Sequence, residues 1–463
     1  VASFLERFEA WAREQVAQKA PWEIDAVSAQ AEVEAFGRRV LNLAGDDALG
    51  LSGDARVKEA AQSALRKYGT APLPGVRVVR ELEEAYAHQL GLKAAVASSS
   101  AADLWRLLLG QADRVLVDGR TRLTMRSVLG GTGAAIASVD DLEVVKQLPT
   151  AQAALWVSVA TYPFEGDVAS LAGPAEAART VNATWLVDES HGIGVLGKAG
   201  TGALDHQRLQ GAAAVVFTRL DTALASSGAM VAGPKALVDC LRAELSEQAL
   251  LSAPFAAAAH KSLEIIGREP ARRARLFDVA ERLNKGLGEL GFDTGPSVTP
   301  RIPLWVGDSV RAHRFARELR ESGVWLRVAY GGGPWLVATP SATLSDAQIE
   351  QLLETVARTT KKLMLSPAAR SSERAPLTLA RPDVQVCARP AEAHWFPAAV
   401  ADEALEEEGG AETEASPVDW KHRVFDGLER LTWRATNMRS QELRAVFQKS
   451  RTLRAFIAPR RKG

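Results

Sequence analysis

The sequence predicts an α/β protein: a large domain on a mostly parallel sheet covered by helices, then a smaller α/β domain. Three observations predict it. Short, wholly apolar runs alternate with stretches of helical period through much of the 463 residues, the pattern of strands buried on both faces. The composition is globular, with 47% apolar and 24% charged residues. The length allows two or three domains with a large core. Lys+Arg and Asp+Glu are equal at 56 each, so overall charge points to no particular class of partner. Cys240 and Cys387 are too few for a disulfide framework, which makes a reducing compartment the default. No basic-then-apolar segment with a small-residue cleavage site opens the sequence. No apolar run approaches the ~20 residues that span a bilayer. A cytoplasmic protein is expected, at most peripheral to a membrane.

Taken in order, residues 3–20 have helical period, with Phe4, Phe8, Trp11 and Val16 near one face. Val40 to Leu43 reads as a short strand. Asp54 to Tyr68 and Val79 to Leu90 read as helices, leading into the strand Ala94 to Ala97. Further strands are read at Arg114 to Val117, Ala153 to Val159, Thr184 to Val187 and Ala213 to Phe217. Helices or helix-containing crossovers fall between them at Ala101 to Leu109, Asp141 to Gln147 and Leu171 to Val181. Ala256 to Leu290 is a long helical region. Strand-like runs follow at Arg301 to Val306, Trp325 to Ala329 and Trp335 to Thr339, and Ser345 to Lys362 is a capped, periodic helix.

The expected division is an N-terminal helical segment (1–45), a large domain (46–255), a small α/β domain (256–364), a linker (365–420) and a basic tail (421–463). The linker is rich in Pro, Ala and charge, and residues 402–414 hold seven acidic residues and no basic one. The tail reverses this, with twelve Lys/Arg against Asp426, Glu429 and Glu442. Its Val424, Leu428, Leu431, Ala435 and Met438 form one helical stripe. Such a helix packs on the body, enters an acidic partner's groove or lies on an anionic membrane surface. No groove-reading nucleic-acid motif is present, and no metal site is expected.

Ligands of parallel sheets bind beyond the carboxyl ends of the strands. Two stretches qualify. Asp188 ends the run Trp185-Leu186-Val187 and begins Asp188-Glu189-Ser190-His191, and Ser98-Ser99-Ser100 lies between a strand and a helix. Seen alone, the first is more often a loop or capping residue and the second an ordinary helix cap. Several motifs in order give them more weight. Val40-Leu41-Asn42-Leu43-Ala44-Gly45-Asp46-Asp47, Tyr68-Gly69-Thr70, Gly75-Val76-Arg77, Glu165-Gly166-Asp167, Asp188 to His191 with the glycine-rich run to Gly202, and Ala223-Leu224-Ala225-Ser226-Ser227-Gly228 with Val231-Ala232-Gly233 all contribute. Together they resemble the α-oxoamine synthase family, from about Val40 to Lys362. These fold-type I pyridoxal-phosphate enzymes, among them 8-amino-7-oxononanoate synthase and serine palmitoyltransferase, condense an amino acid with an acyl-CoA and release carbon dioxide.

The resemblance implies a set of roles. Asp188 would pair with the pyridine nitrogen, His191 would belong to the same cofactor site, and Ser99 and Ser100 would stand at the phosphate cup. It also exposes departures. The lysine that would form the imine falls at Thr222, or at Asp221 if the alignment is anchored on Thr218, and no lysine occurs between Lys198 and Lys235. The stacking histidine falls at Arg122, the carboxylate-binding arginine near Val337, and the glycine of the phosphate turn at Ser99. A threonine hydroxyl forms no imine. The expectation is therefore a degenerate member, with no catalytic residue. Pyridoxal phosphate would be held without a covalent bond or not at all. The protein would act as a non-catalytic subunit or dimeric scaffold, a homodimer or a heterodimer with a catalytic relative. The alternatives are an active pyridoxal-phosphate-dependent acyltransferase and a binding protein that acts through its basic tail.

Overall fold

The structure, a computed structural model, describes residues 26–27, 31–35, 37–129, 135–138, 153–329 and 335–365. The helices read at residues 3–20 and 141–147, the linker and the basic tail lie outside the described residues.

A seven-stranded sheet forms the large layer. Its strands run in the order Ala94–Ser98, Ala229–Gly233, Val215–Arg219, Thr184–Asp188, Ala154–Val159, Arg114–Val117 and Ala135–Ser138. The last five are mutually parallel, and Ala229–Gly233 is antiparallel to both neighbours. Every residue of Ala154–Val159 and of Ala229–Gly233 is buried, as helix-covered strands require. The alternation in the sequence therefore predicts the mostly parallel sheet. The strand at Ala229–Gly233, with a helix at Lys235–Glu244 behind it, is additional.

The strand Ala94–Ser98 lies at the sheet edge, and side chains cover it. Ala97 N–H donates to Glu83 Oε1 at 2.9 Å, and Arg242 Nη2 donates to Ala95 O at 3.0 Å. The two side chains pair with each other at 2.9 Å.

A second, six-stranded sheet runs Ala26–Val27, Glu32–Ala35, Arg38–Leu43, Val324–Val328, Trp335–Ala338 and Ile302–Trp305. Arg38–Leu43 is parallel to Val324–Val328, so an N-terminal strand completes the sheet of the C-terminal region. The long helical region divides into Ala253–Arg268 and Pro270–Glu289. Pro270 has no N–H to continue the first helix, and Glu269 before it is pushed out of helical conformation (φ −119°, ψ 67°). Helix Ala253–Arg268 packs on Ala55–Tyr68, which Asp54 caps by accepting from Arg56 N–H. Asp346–Lys362 begins with a full capping box between Ser345 and Gln348.

Candidate functional site

The strand Thr184–Asp188 delivers Asp188 to the carboxyl edge of the large sheet. Asp188 Oδ1 accepts from Ser190 N–H at 2.9 Å, and Ser190 Oγ accepts from Arg219 N–H at 3.0 Å. These bonds tie the turn to the end of the neighbouring strand. Burial pushes the Asp188 carboxyl up. Glu189 points the other way and is wholly buried. It accepts from Ala203 N–H at 2.9 Å and Leu204 N–H at 2.7 Å, which fastens the glycine-rich loop. Burial, opposed by these two bonds, pushes its carboxyl up to about 7. Two glycines are required here. A Cβ on Gly192 would stand 2.0 Å from Glu189 Oε2, and one on Gly202, at φ +107°, would stand 2.8 Å from it.

A buried charge cluster faces the turn from the second sheet. Arg301, just before Ile302–Trp305, donates to Asp46 Oδ1 at 2.5 Å and to Pro163 O at 2.8 Å. Arg327 donates to the other Asp46 oxygen at 3.2 Å and to Ala44 O. Burial alone would raise the Asp46 carboxyl, but the guanidinium of Arg301, aided by Arg327, outweighs it and holds Asp46 well below the usual carboxylate range. His191 Nδ1 lies 3.4 Å from Arg301 Nη1. Burial, and then the charge of Arg301, lowers the imidazole to about 3, so the ring is neutral at physiological pH. Between these groups is a cavity of about 20 Å³, lined by Asp46, Ser190, His191, Thr222, Arg301 and Thr339 among others. That is room for about one water-sized occupant.

The two candidates for the lysine position, Thr222 and Asp221, face different surroundings. Thr222 is buried, lines the cavity and donates to Arg219 O at 3.2 Å. Asp221 is turned away and exposed, paired with the guanidinium of Arg219 at 2.8 Å from Nε. Lys235 sits on the surface, 2.6 Å from Asp239. Ser99 and Ser100 are not among the residues lining the cavity. Ser99 N–H donates to Ala249 O at 2.9 Å and Ser99 Oγ to Gln248 O at 3.2 Å. Ser100 N–H donates to Ser98 Oγ at 3.0 Å, and Ser100 Oγ accepts from Asp103 N–H at 3.1 Å as the cap of the helix Ala101–Gly110. Thr218 Oγ1 is engaged by Tyr86 Oη at 2.6 Å. Arg122 lies in the short helix Gly119–Thr124. Val337 is buried in Trp335–Ala338, directly across from Arg327.

Pyridoxal phosphate needs a carboxylate for its pyridine nitrogen, an amine for its aldehyde and a cup for its phosphate. Asp188 suits a pyridine nitrogen. The rest of the set does not match the group: Thr222 offers no amine, and the amides and hydroxyls of Ser99 and Ser100 are already bonded within the protein. Among the described residues no group of three or more His, Cys, Asp or Glu side chains could hold a metal ion. Among the same residues no helix is long and apolar enough to cross a membrane. Sequence reasoning missed the roles of Asp46, Arg301 and Arg327. Asp46 lay inside the opening motif, but nothing local marks it as the shared partner of two arginines 255 and 281 residues away.

Residues 38–356 match the family model described as aminotransferase class I and II. The 8-amino-7-oxononanoate synthase of Symbiobacterium thermophilum is 33% identical over 314 residues, which cover 62% of this chain and 79% of that protein. A serine palmitoyltransferase of Sphingobacterium spiritivorum is 29% identical over 318 residues, covering 64% and 79%. A variant serine palmitoyltransferase from S. paucimobilis, solved with a bound PLP–myriocin aldimine, superposes with a TM-score of 0.71 at 21% identity. The superposition covers 78% of this chain and all of the other, and it shows a shared fold.

Proposed function

The chain belongs to the aminotransferase class I and II family, and we propose that it is a non-catalytic member, acting as a subunit or dimeric scaffold. One observation carries the proposal. The side chain that lines the cavity at the lysine position is Thr222, whose hydroxyl is bonded to Arg219 O. A hydroxyl there supplies neither an imine nor the proton shuttle that a lysine amine gives. The internally bonded Ser99 and Ser100 support the same reading, since a phosphate would have to displace those bonds. In this reading pyridoxal phosphate is not covalently bound, and the chain pairs with itself or with a catalytic relative. The basic tail is available for an acidic partner.

The test is an absorption spectrum of the purified protein incubated with pyridoxal phosphate. No Schiff-base band sensitive to borohydride is expected. A band that borohydride bleaches, with the label mapped to a lysine, refutes the proposal. It would favour a second reading, an acyl-CoA:amino acid acyltransferase like the relatives named above. That reading is supported by 33% identity to a protein named 8-amino-7-oxononanoate synthase. Sizing the protein alone and with such a relative tests the pairing. Pull-down with and without residues 366–463 tests the tail.

A further inference from the structure

The cavity between the two sheets has an imbalance of charge and of hydrogen bonds that the family chemistry does not explain. Arg301 and Arg327 share one carboxylate, that of Asp46. The side chain of Arg301 is 8% exposed and that of Asp46 9%, so the pair is removed from water; Arg327 is 26% exposed. Two guanidinium groups against one carboxylate leave a net positive charge beside the cavity, which Arg301 lines and Arg327 reaches only through Asp46. The nearby Arg219 is already paired with Asp221. His191 adds no charge while its ring is neutral.

Three polar atoms on that wall have no bonded partner among the described residues. Arg301 uses Nε for Pro163 O and Nη1 for Asp46, with His191 beside it, which leaves Nη2 to the cavity that the residue lines. His191 has its Nδ1 beside Arg301, and its Nε2 is unbonded. Thr339 lends its backbone N–H to Leu43 O, and its hydroxyl is unbonded. None of the three is a dry, buried orphan such as Trp156 Nε1 or Asn284 Oδ1. Each therefore borders space. The second guanidinium has no carboxylate of its own, and these polar atoms have no protein partner. A single occupant would relieve both.

We infer that this cavity is a binding site for a compact monovalent anion, a halide or the single carboxylate group of a small acid. The size, about 20 Å³, suits an occupant of about water's dimensions. The guanidinium of Arg301 supplies charge and a directed donor. Thr339 supplies a hydroxyl donor, and His191 supplies a second N–H when the neutral ring is protonated at Nε2, as its Nδ1 beside Arg301 requires. The inference does not depend on the loss of catalysis, because none of the three groups is a candidate for the imine.

The test is made on the full chain, by thermal denaturation in sodium chloride, formate or sulfate matched in ionic strength. Chloride is expected to raise the melting temperature with the logarithm of its concentration above the dissociation constant, whereas excluded sulfate raises it in proportion to concentration. The chloride magnetic resonance line should broaden with protein. Displacement by formate marks a carboxylate site, and lack of displacement marks a halide site. Arg301→Gln should abolish the logarithmic rise and the line broadening. In case that variant does not fold, Thr339→Val should weaken chloride by about fivefold, the loss of one hydrogen bond. The surface variant Lys235→Ala should bind as the parent does. A chloride effect that is linear in concentration and brings no line broadening means that the cavity holds only water, and it overturns the inference. So does a chloride affinity unchanged in Thr339→Val.

Discussion

Replacing Asp46 by asparagine removes the carboxylate that Arg301 and Arg327 share while keeping nearly the same shape. The side chains of Asp46 and Arg301 are 9% and 8% exposed, so bulk water compensates little. Breaking such a buried pair from one side typically costs about 3–5 kcal/mol, because the other charge stays buried. For domains of 150–250 residues 1 kcal/mol moves the melting temperature by about 2–4 °C, and less in larger ones, so a fall of roughly 6–10 °C is expected. The pH dependence gives an independent check. Asp46 is held below the ordinary carboxylate range in the folded protein, so its contribution is fully present above the unfolded value of about 3.9 and is lost as pH falls below it. Urea denaturation of parent and variant should therefore show a constant gap from pH 5 upward that narrows toward about pH 3. A gap under about 1 kcal/mol at neutral pH refutes the burial argument. A gap that does not narrow in acid refutes the assignment to the Asp46 charge.

Other perturbations have outcomes of different sign. Glu165 has an unbonded buried Oε2, and burial, opposed by Arg120, pushes its carboxyl up to about 7. Its ionisation opposes folding, so stability should fall as pH rises from about 4.3 to 7, by up to about 1.4 kcal/mol per pH unit; Glu165→Gln should flatten that part of the profile in calorimetry. Gly202→Ala places a methyl against Glu189 at φ +107° and should cost more than about 1 kcal/mol by urea denaturation. Thr222→Lys brings an amine to the cavity but leaves Ser99 and Ser100 bonded to Ala249, Gln248, Ser98 and Asp103. Alone it should therefore not produce a borohydride-sensitive band with pyridoxal phosphate, and appearance of the band would show that the cup opens.

Much of this fold was legible because its signals are local. Apolar runs marked the central strands, and Asp54, Ser100 and Ser345 marked helix starts through short-range capping. Pro270 could have marked the break between the two long helices. The helix Ser309–Glu321 was not read. Its buried side is thin, with Ala312, Phe315 and Leu319 among arginines and glutamates, although Asp308 caps it by accepting from Arg311 N–H. The site divides in the same way. Asp188 and His191 could be read because a strand end and a glycine-rich loop flank them. The charge cluster could not, because proximity of Asp46, Arg301 and Arg327 is made by the pairing of Arg38–Leu43 with Val324–Val328. Thr222 and Asp221 were indistinguishable in one dimension and are separated only by the direction in which the turn sends each side chain.

The cover over Ala94–Ser98 bears on how this chain can assemble. An open strand edge is a template for any other extended chain. Glu83 and Arg242 occupy the outward N–H of Ala97 and C=O of Ala95, so a neighbouring strand finds no ladder to extend there. Contact with a second copy or a relative at this edge must rest on the shape and charge of helix surfaces, which can discriminate between partners as backbone pairing cannot. Glu83→Ala would uncover the ladder, exchanging a selective surface for an indiscriminate one.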